Sequence, residues 1–166
     1  MIVETLTQDP PAMAPWTNHL EAMDAAIQNG NASAAVLAWR HAYSAALDQP
    51  GWRGLVEVAR AALRIGAIAG FQKAAESRAR ESYWTALFRA RRQGSLNGVL
   101  DAAEAFGMLG DRVMVEQCIR IAERLAQLAG DPEAAERVRA LAVDLTQRYI
   151  EVERPEMFSS VVGQRR

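Results

Sequence analysis

The chain has 166 residues, half of them apolar and 23% charged, and its 19 basic and 20 acidic side chains leave a net charge of −1. That length is enough to bury a real core, and the charge balance argues against a wholly basic nucleic-acid binder and an acidic disordered chain. A single cysteine excludes an internal disulfide, and two histidines offer little from which to build a metal site or a nucleophilic triad.

Residues 1–15 have no positively charged start and no apolar run of signal-peptide length. Asp9-Pro10-Pro11 and Pro15 oppose helix, so this segment reads as an N-terminal extension. The most apolar stretch, Ala59 to Phe71, is interrupted by Arg60 and Arg64; no membrane span is expected, and the cytoplasm is the default compartment. Alanine occupies 32 positions and arginine supplies 18 of the 19 basic side chains, a bias that resembles the coding habit of a GC-rich bacterial genome and concerns codon usage rather than mechanism.

From residue 16 onward, glycine and proline punctuate segments rich in Ala, Leu, Arg and Glu, the strong helix formers. The spacing predicts an all-α chain of about seven helices, at roughly 17–29, 32–48, 52–65, 69–92, 96–109, 112–129 and 133–151. The second carries the stripe Ala35, Trp39, Ala42 and Ala46; the fifth Val99, Leu100, Ala103 and Phe106; the sixth Val115, Cys118, Ala122 and Ala126. Ser33, Asp111 and Asp131 are expected to cap helix starts, with Pro132 in the first helical position. Gly30, Gly66, Gly94, Gly110 and Gly130 suit the left-handed residue past a helix end. Connections this short make successive helices antiparallel hairpins. Residues 16–151 then form one helical domain, and 152–166 a C-terminal tail in which Met157, Phe158, Val161 and Val162 either pack back or stay free.

Two segments align on their turns. Gly30-Asn31 is followed by Ala35, Trp39 and Ala42, and Gly110-Asp111 by Val115, Ile119 and Ala122; Met23 and Ala26 before the first turn match Ala103 and Phe106 before the second. Small residues let two antiparallel helices approach, and the bulky one fills the gap to the next hairpin. The pattern resembles the tetratricopeptide repeat, a helix–turn–helix unit of about 34 residues. The resemblance covers 17–129 and implies a superhelical array of hairpins closed by a C-terminal capping helix. A third turn read at Gly66-Ala67 lies 36 residues after Gly30 and 44 before Gly110, so the repeat is irregular, and the family's first-helix Trp, Leu-Gly and Tyr are missing.

Charge is uneven. Residues 52–92 carry a net +6 between flanks of −4 and −3. Arg53, Glu57, Arg60 and Arg64 share one face of the third helix. In a tetratricopeptide array the first helix of each hairpin lines the groove, so the resemblance implies that Arg53, Arg60 and Arg64 face a partner, with Asn97 of the fifth helix adding an amide. An acidic peptide or a carboxyl terminus suits these arginines, whose planar forks bind two oxygens at once. The alternative is a solvated face tied by pairs such as Arg53–Glu57. Arg89, Arg91 and Arg92, in the last turn of the fourth helix, complement its dipole.

Nothing in the spacing announces chemistry. His19 and His41 sit on different helices without a companion ligand, Cys118 lies in a core stripe, and Gly66-Ala67-Ile68-Ala69-Gly70 lacks the lysine and hydroxyl of a phosphate-binding loop. No catalytic residue, metal or cofactor is expected. Trp16 and Trp52 are read as staples at helix starts, Trp39 as buried, and Trp84, Leu87 and Phe88 as a stripe belonging to the core or to a homodimer contact. The leading reading is a non-catalytic module that binds a peptide or partner protein, as a homodimer. The second is a binder of nucleic acid or another anion through 52–92.

Overall fold

The computed structural model describes residues 13–152, with side chains as far as Arg148. Helices fill 85% of these residues, and no strand occurs among them. In chain order they are α1 (Thr17–Gln28), α2 (Ala32–Asp48), α3 (Arg53–Ala69), α4 (Gln72–Arg92), α5 (Leu96–Met108), α6 (Arg112–Ala129) and α7 (Pro132–Val152). The apolar tail residues Met157 to Val162 and the extension 1–12 lie outside the described residues.

Local chemistry sets the helix ends. The side chains of Asn31, Ser95 and Asp111 accept bonds from the free N–H groups of Ala34, Gly98 and Met114, and Asp131 accepts from Glu133 ahead of α7. Asn31 therefore caps α2, and Ser33, expected in that role, lies inside its first turn. The α2–α3 connection has no left-handed glycine. It is held from outside: the Arg89 guanidinium of α4 donates to the carbonyls of Leu47, Gln49 and Gly51 at 3.0, 2.5 and 3.1 Å. Gln93 adds a bond to the Pro50 carbonyl at 2.9 Å. Arg89 is thus a clamp on a neighbouring loop, a more specific role than dipole complementation.

The middle hairpin corrects the sequence reading. Its left-handed residue is Gly70, at φ 75°, and Gly66 is buried inside α3. A Cβ built on Gly66 would stand 2.3 Å from the Cβ of Ala75, so this glycine exists for close approach of α3 and α4, not for a turn. The shift also explains the irregular spacing. Buried Ala35, Ala42 and Ala46 of α2 correspond to Ala79, Ala86 and Ala90 of α4 and to Val115, Ala122 and Ala126 of α6. Those sets lie 44 and 36 residues apart, whereas Met23, Ala59 and Ala103 of α1, α3 and α5 lie 36 and 44 apart. A 36-residue period with eight extra residues at the tip of the second hairpin accounts for both, and the extra residues add about one turn to each of its helices.

Packing is sequential. Each helix packs on the next, and α1 also touches α3, α3 touches α5, and α5 touches α7. No comparable contact joins α2 to α4 or α4 to α6 among the described residues. The odd-numbered helices therefore form a closed inner layer and the even-numbered ones a splayed outer layer. Two tryptophans lock the inner layer at the same repeat position: Trp16 lies against Gly54 beside Ala46, and Trp52 against Gly98 beside Ala90. One large core cluster runs from α2 to α7, with a smaller one, centred on Met23, Ala35, Ala61 and Ile65, among α1, α2 and α3. Ala134, Val138 and Leu145 of α7 close the far end of the large cluster.

Trp39 is half-buried rather than fully enclosed; it stacks on Tyr43 and donates its indole N–H to the Val58 carbonyl at 2.7 Å. The aromatic stripe of α4 divides. Tyr83 and Leu87 are buried, whereas Trp84 and Phe88, one position further round the helix, are exposed.

Candidate functional site

The inner layer aligns charged side chains across four helices. Arg53, Glu57, Arg60 and Arg64 of α3 lie, by the repeat, beside Asn97, Asp101, Glu104 and Met108 of α5. The helices touch, so neighbouring ranks reach one another. Arg64 meets Asp24 of α1 at 3.2 Å. The Glu57 carboxylate accepts from the Trp16 indole at 2.5 Å and makes no ion pair with Arg53 or Arg60. Asn97 accepts a bond from Arg137 of α7 at 2.6 Å, and Arg148 reaches Glu104 at 3.9 Å while also pairing with Asp144 of its own helix.

Asp101 occupies the middle of this surface. Burial raises its carboxyl above the ordinary carboxylate range; the guanidinium of Arg60, and less strongly those of Arg53 and Arg137, act in the opposite direction, while Glu104 adds to the rise. Arg60 is half-buried and also lies beside the Tyr83 phenol, which burial pushes upward against the pull of that guanidinium. Arg53 is exposed, with its guanidinium carbon 5.6 Å from the centre of the Trp52 ring, a cation–π arrangement.

The four sequence-predicted residues are thus on one layer but differently engaged. Arg60 and Arg53 act on Asp101 through their charge without forming an ion pair with it, Arg64 is drawn to α1, and the Asn97 side-chain oxygen is already taken by Arg137. Sequence reasoning missed Asp101 and Arg137. Their signal was the repeat itself, since Asp101 stands 44 residues after Glu57 and Arg137 36 after Asp101. The rest of the basic 52–92 region scatters. Arg80 pairs with Asp111 at 3.2 Å, Arg89 clamps the α2–α3 loop, and Lys73 sits at the hairpin tip.

His19 and His41, remote in sequence, meet edge to face at 5.6 Å. No group of three or more metal-ligating side chains occurs among the described residues, and none of their helices is long and apolar enough to cross a membrane. Cys118 is fully buried, and burial pushes its thiol up to about 12, which leaves almost no thiolate at neutral pH. Neither a family model nor a curated protein matches the sequence.

Proposed function

We propose that the protein is a non-catalytic interaction module that takes an acidic peptide segment on its inner layer, as a degenerate tetratricopeptide array would. What supports the repeat reading is the recurrence of buried small residues at equivalent places in α2, α4 and α6. The observation that carries the ligand is the positive charge that Arg60, Arg53 and Arg137 together bring to bear on the half-buried carboxylate of Asp101. Asp101 marks where a ligand carboxylate would be favoured, and an incoming acidic side chain or chain terminus would engage the planar donors of these guanidiniums directly. Arg64 and Asn97 flank this centre; each releases an internal partner when a ligand arrives, at little cost because exposed ion pairs contribute little.

The test is a display library of peptides with free carboxyl termini, followed by calorimetry on the enriched sequences. Acidic peptides should be enriched, and Arg53→Ala or Arg60→Ala should weaken them about tenfold or more, the usual scale for a lost charged hydrogen bond. Asp101→Asn should tighten them, because it removes the internal competitor. Enriched peptides that bind the Arg53→Ala/Arg60→Ala double variant as well as the parent overturn the reading.

A further inference from the structure

The outer layer offers a second surface of different character. Between the splayed α4 and α6 runs an open groove of about 420 Å³, lined by Arg91 of α4 and by Gln117, Arg120, Ile121, Arg124 and Leu128 of α6. Trp84 and Phe88 stand two turns and one turn before Arg91 on the same face of α4. Phe88 is 65% exposed, Trp84 47% and Leu128 85%. The Trp84 ring packs edge-on against Phe106 of α5, their centres 6.2 Å apart.

The repeat supplies an internal control. The α2 positions 44 residues earlier are Arg40 and Ser44. Packing of the array therefore does not call for aromatic rings at 84 and 88, and burial does not explain Phe88. Charge narrows the occupant. Arg91, Arg92 and Arg124 have no ion-pair partner among the described residues, and Arg120 has one long contact, 3.8 Å to Glu116 on its own helix. No carboxylate lines the groove. A second copy docked symmetrically would bring the same guanidinium set against itself. An apolar strip edged by unpaired arginines fits a segment with apolar residues on one face and carboxylates beside them.

We infer that the α4–α6 groove docks an acidic amphipathic helix of a partner protein, with Trp84, Phe88 and Leu128 as apolar anchors and Arg91 and Arg124 as carboxylate clamps. From Gln117 to Leu128 the wall runs about 16 Å, room for about three turns. This surface is independent of the inner layer and of Arg53 and Arg60.

The experiment uses the full chain and a fluorescent peptide of about twelve residues, blocked at both ends, with leucines on one face and glutamates along its edges. Binding is read by anisotropy. The parent should bind it. Phe88→Ser and Arg124→Glu should each weaken binding about tenfold or more, the loss typical of an interface anchor. Arg40→Ala, at the equivalent exposed position of α2, should leave binding unchanged, and the same peptide with lysine for glutamate should not bind. Both altered side chains are exposed, so helix content and thermal midpoint should match the parent, and Arg124→Glu decides the matter if Phe88→Ser fails to fold. Absence of binding, equal binding by both variants, or equal binding of the lysine peptide overturns the inference. So does sedimentation showing a homodimer of the parent that Phe88→Ser dissolves, since a second copy would then own the face. Phe88→Ser and Arg124→Glu leave the inner layer intact, so a failure of this inference is distinguishable from a failure of the inner-layer reading, which is tested by its own variants.

Discussion

Gly66→Ala tests the close approach that shapes the middle hairpin. The new methyl group would lie 2.3 Å from the Ala75 Cβ, and reaching ordinary contact at 3.4 Å requires α3 and α4 to part by about 1 Å. Neither carbon can rotate away, because each is fixed to its backbone. Overpacking of this kind costs about 3 kcal/mol at the upper end of its range, and alanine returns about 1 kcal/mol of helix propensity over glycine. The net loss is about 2 kcal/mol. Ala75→Gly alone should cost about 1 kcal/mol through propensity. The double variant exchanges the two residues: the propensity changes cancel and the colliding carbon is gone. Its stability should return to within about 1 kcal/mol of the parent, a coupling of about 3 kcal/mol where independent sites would add. Urea denaturation followed by circular dichroism at the helix band measures all four proteins. A Gly66→Ala variant as stable as the parent, or a double variant weaker than the single one, would refute the reasoning, and would return Gly66 to the turn.

Arg89→Ala should destabilise the chain by about 2 kcal/mol, since three carbonyls of the α2–α3 loop lose a charged donor that is itself partly exposed; Arg89→Lys should recover only part of this because an ammonium lacks the fork, and amide exchange around Gly51 should quicken in both. Cys118 should resist alkylation in the native state. Burial pushes its folded thiol up to about 12, from an ordinary value of 9.0, so above pH 9 the unfolded chain gives up its proton first and stability falls as pH rises, by up to about 1.4 kcal/mol per unit. Cys118→Ala should remove that part of the alkaline decline, and an unchanged slope between pH 9 and 10.5 would show the thiol to be accessible.

The helices were legible because their segments carry strong formers between glycines and side-chain caps, and Gly30, Gly94, Gly110 and Gly130 do turn the chain as expected. The middle turn was not. Gly66 and Gly70 are one helical turn apart, and sequence does not distinguish a glycine that supplies positive φ from one that makes room; the neighbour that decides, Ala75, lies beyond the turn. The aromatic stripe failed for an angular reason. Residues 83 and 84 differ by about 100° around α4, enough to bury Tyr83 and expose Trp84 although both join an apolar run. The arginine row on α3 followed from spacing alone, but Asp24, which pairs with Arg64, and Asp101, on which Arg60 and Arg53 act, come from helices some 40 residues away in sequence. Whether a charge is free depends on which helices touch, and that is a property of the assembled layers.

Contact between helices separates the two surfaces. Inner helices touch, so a charge on one finds an opposite charge on the next, as Arg64 finds Asp24 and Arg148 finds Glu104. Outer helices splay, so Arg91 and Arg124 face open space and find none. On the inner-layer reading proposed above, a ligand exchanges its carboxylate for one already present. The net change in charge pairing is small, so such binding is selective for geometry, modest in strength and only weakly sensitive to salt. A ligand in the outer groove creates pairs that did not exist and covers rings that water now wets. Its binding gains from both terms and weakens as salt screens the first. The two proposed sites would therefore follow different rules, one replacing a charge within a paired lattice and one completing an unpaired edge.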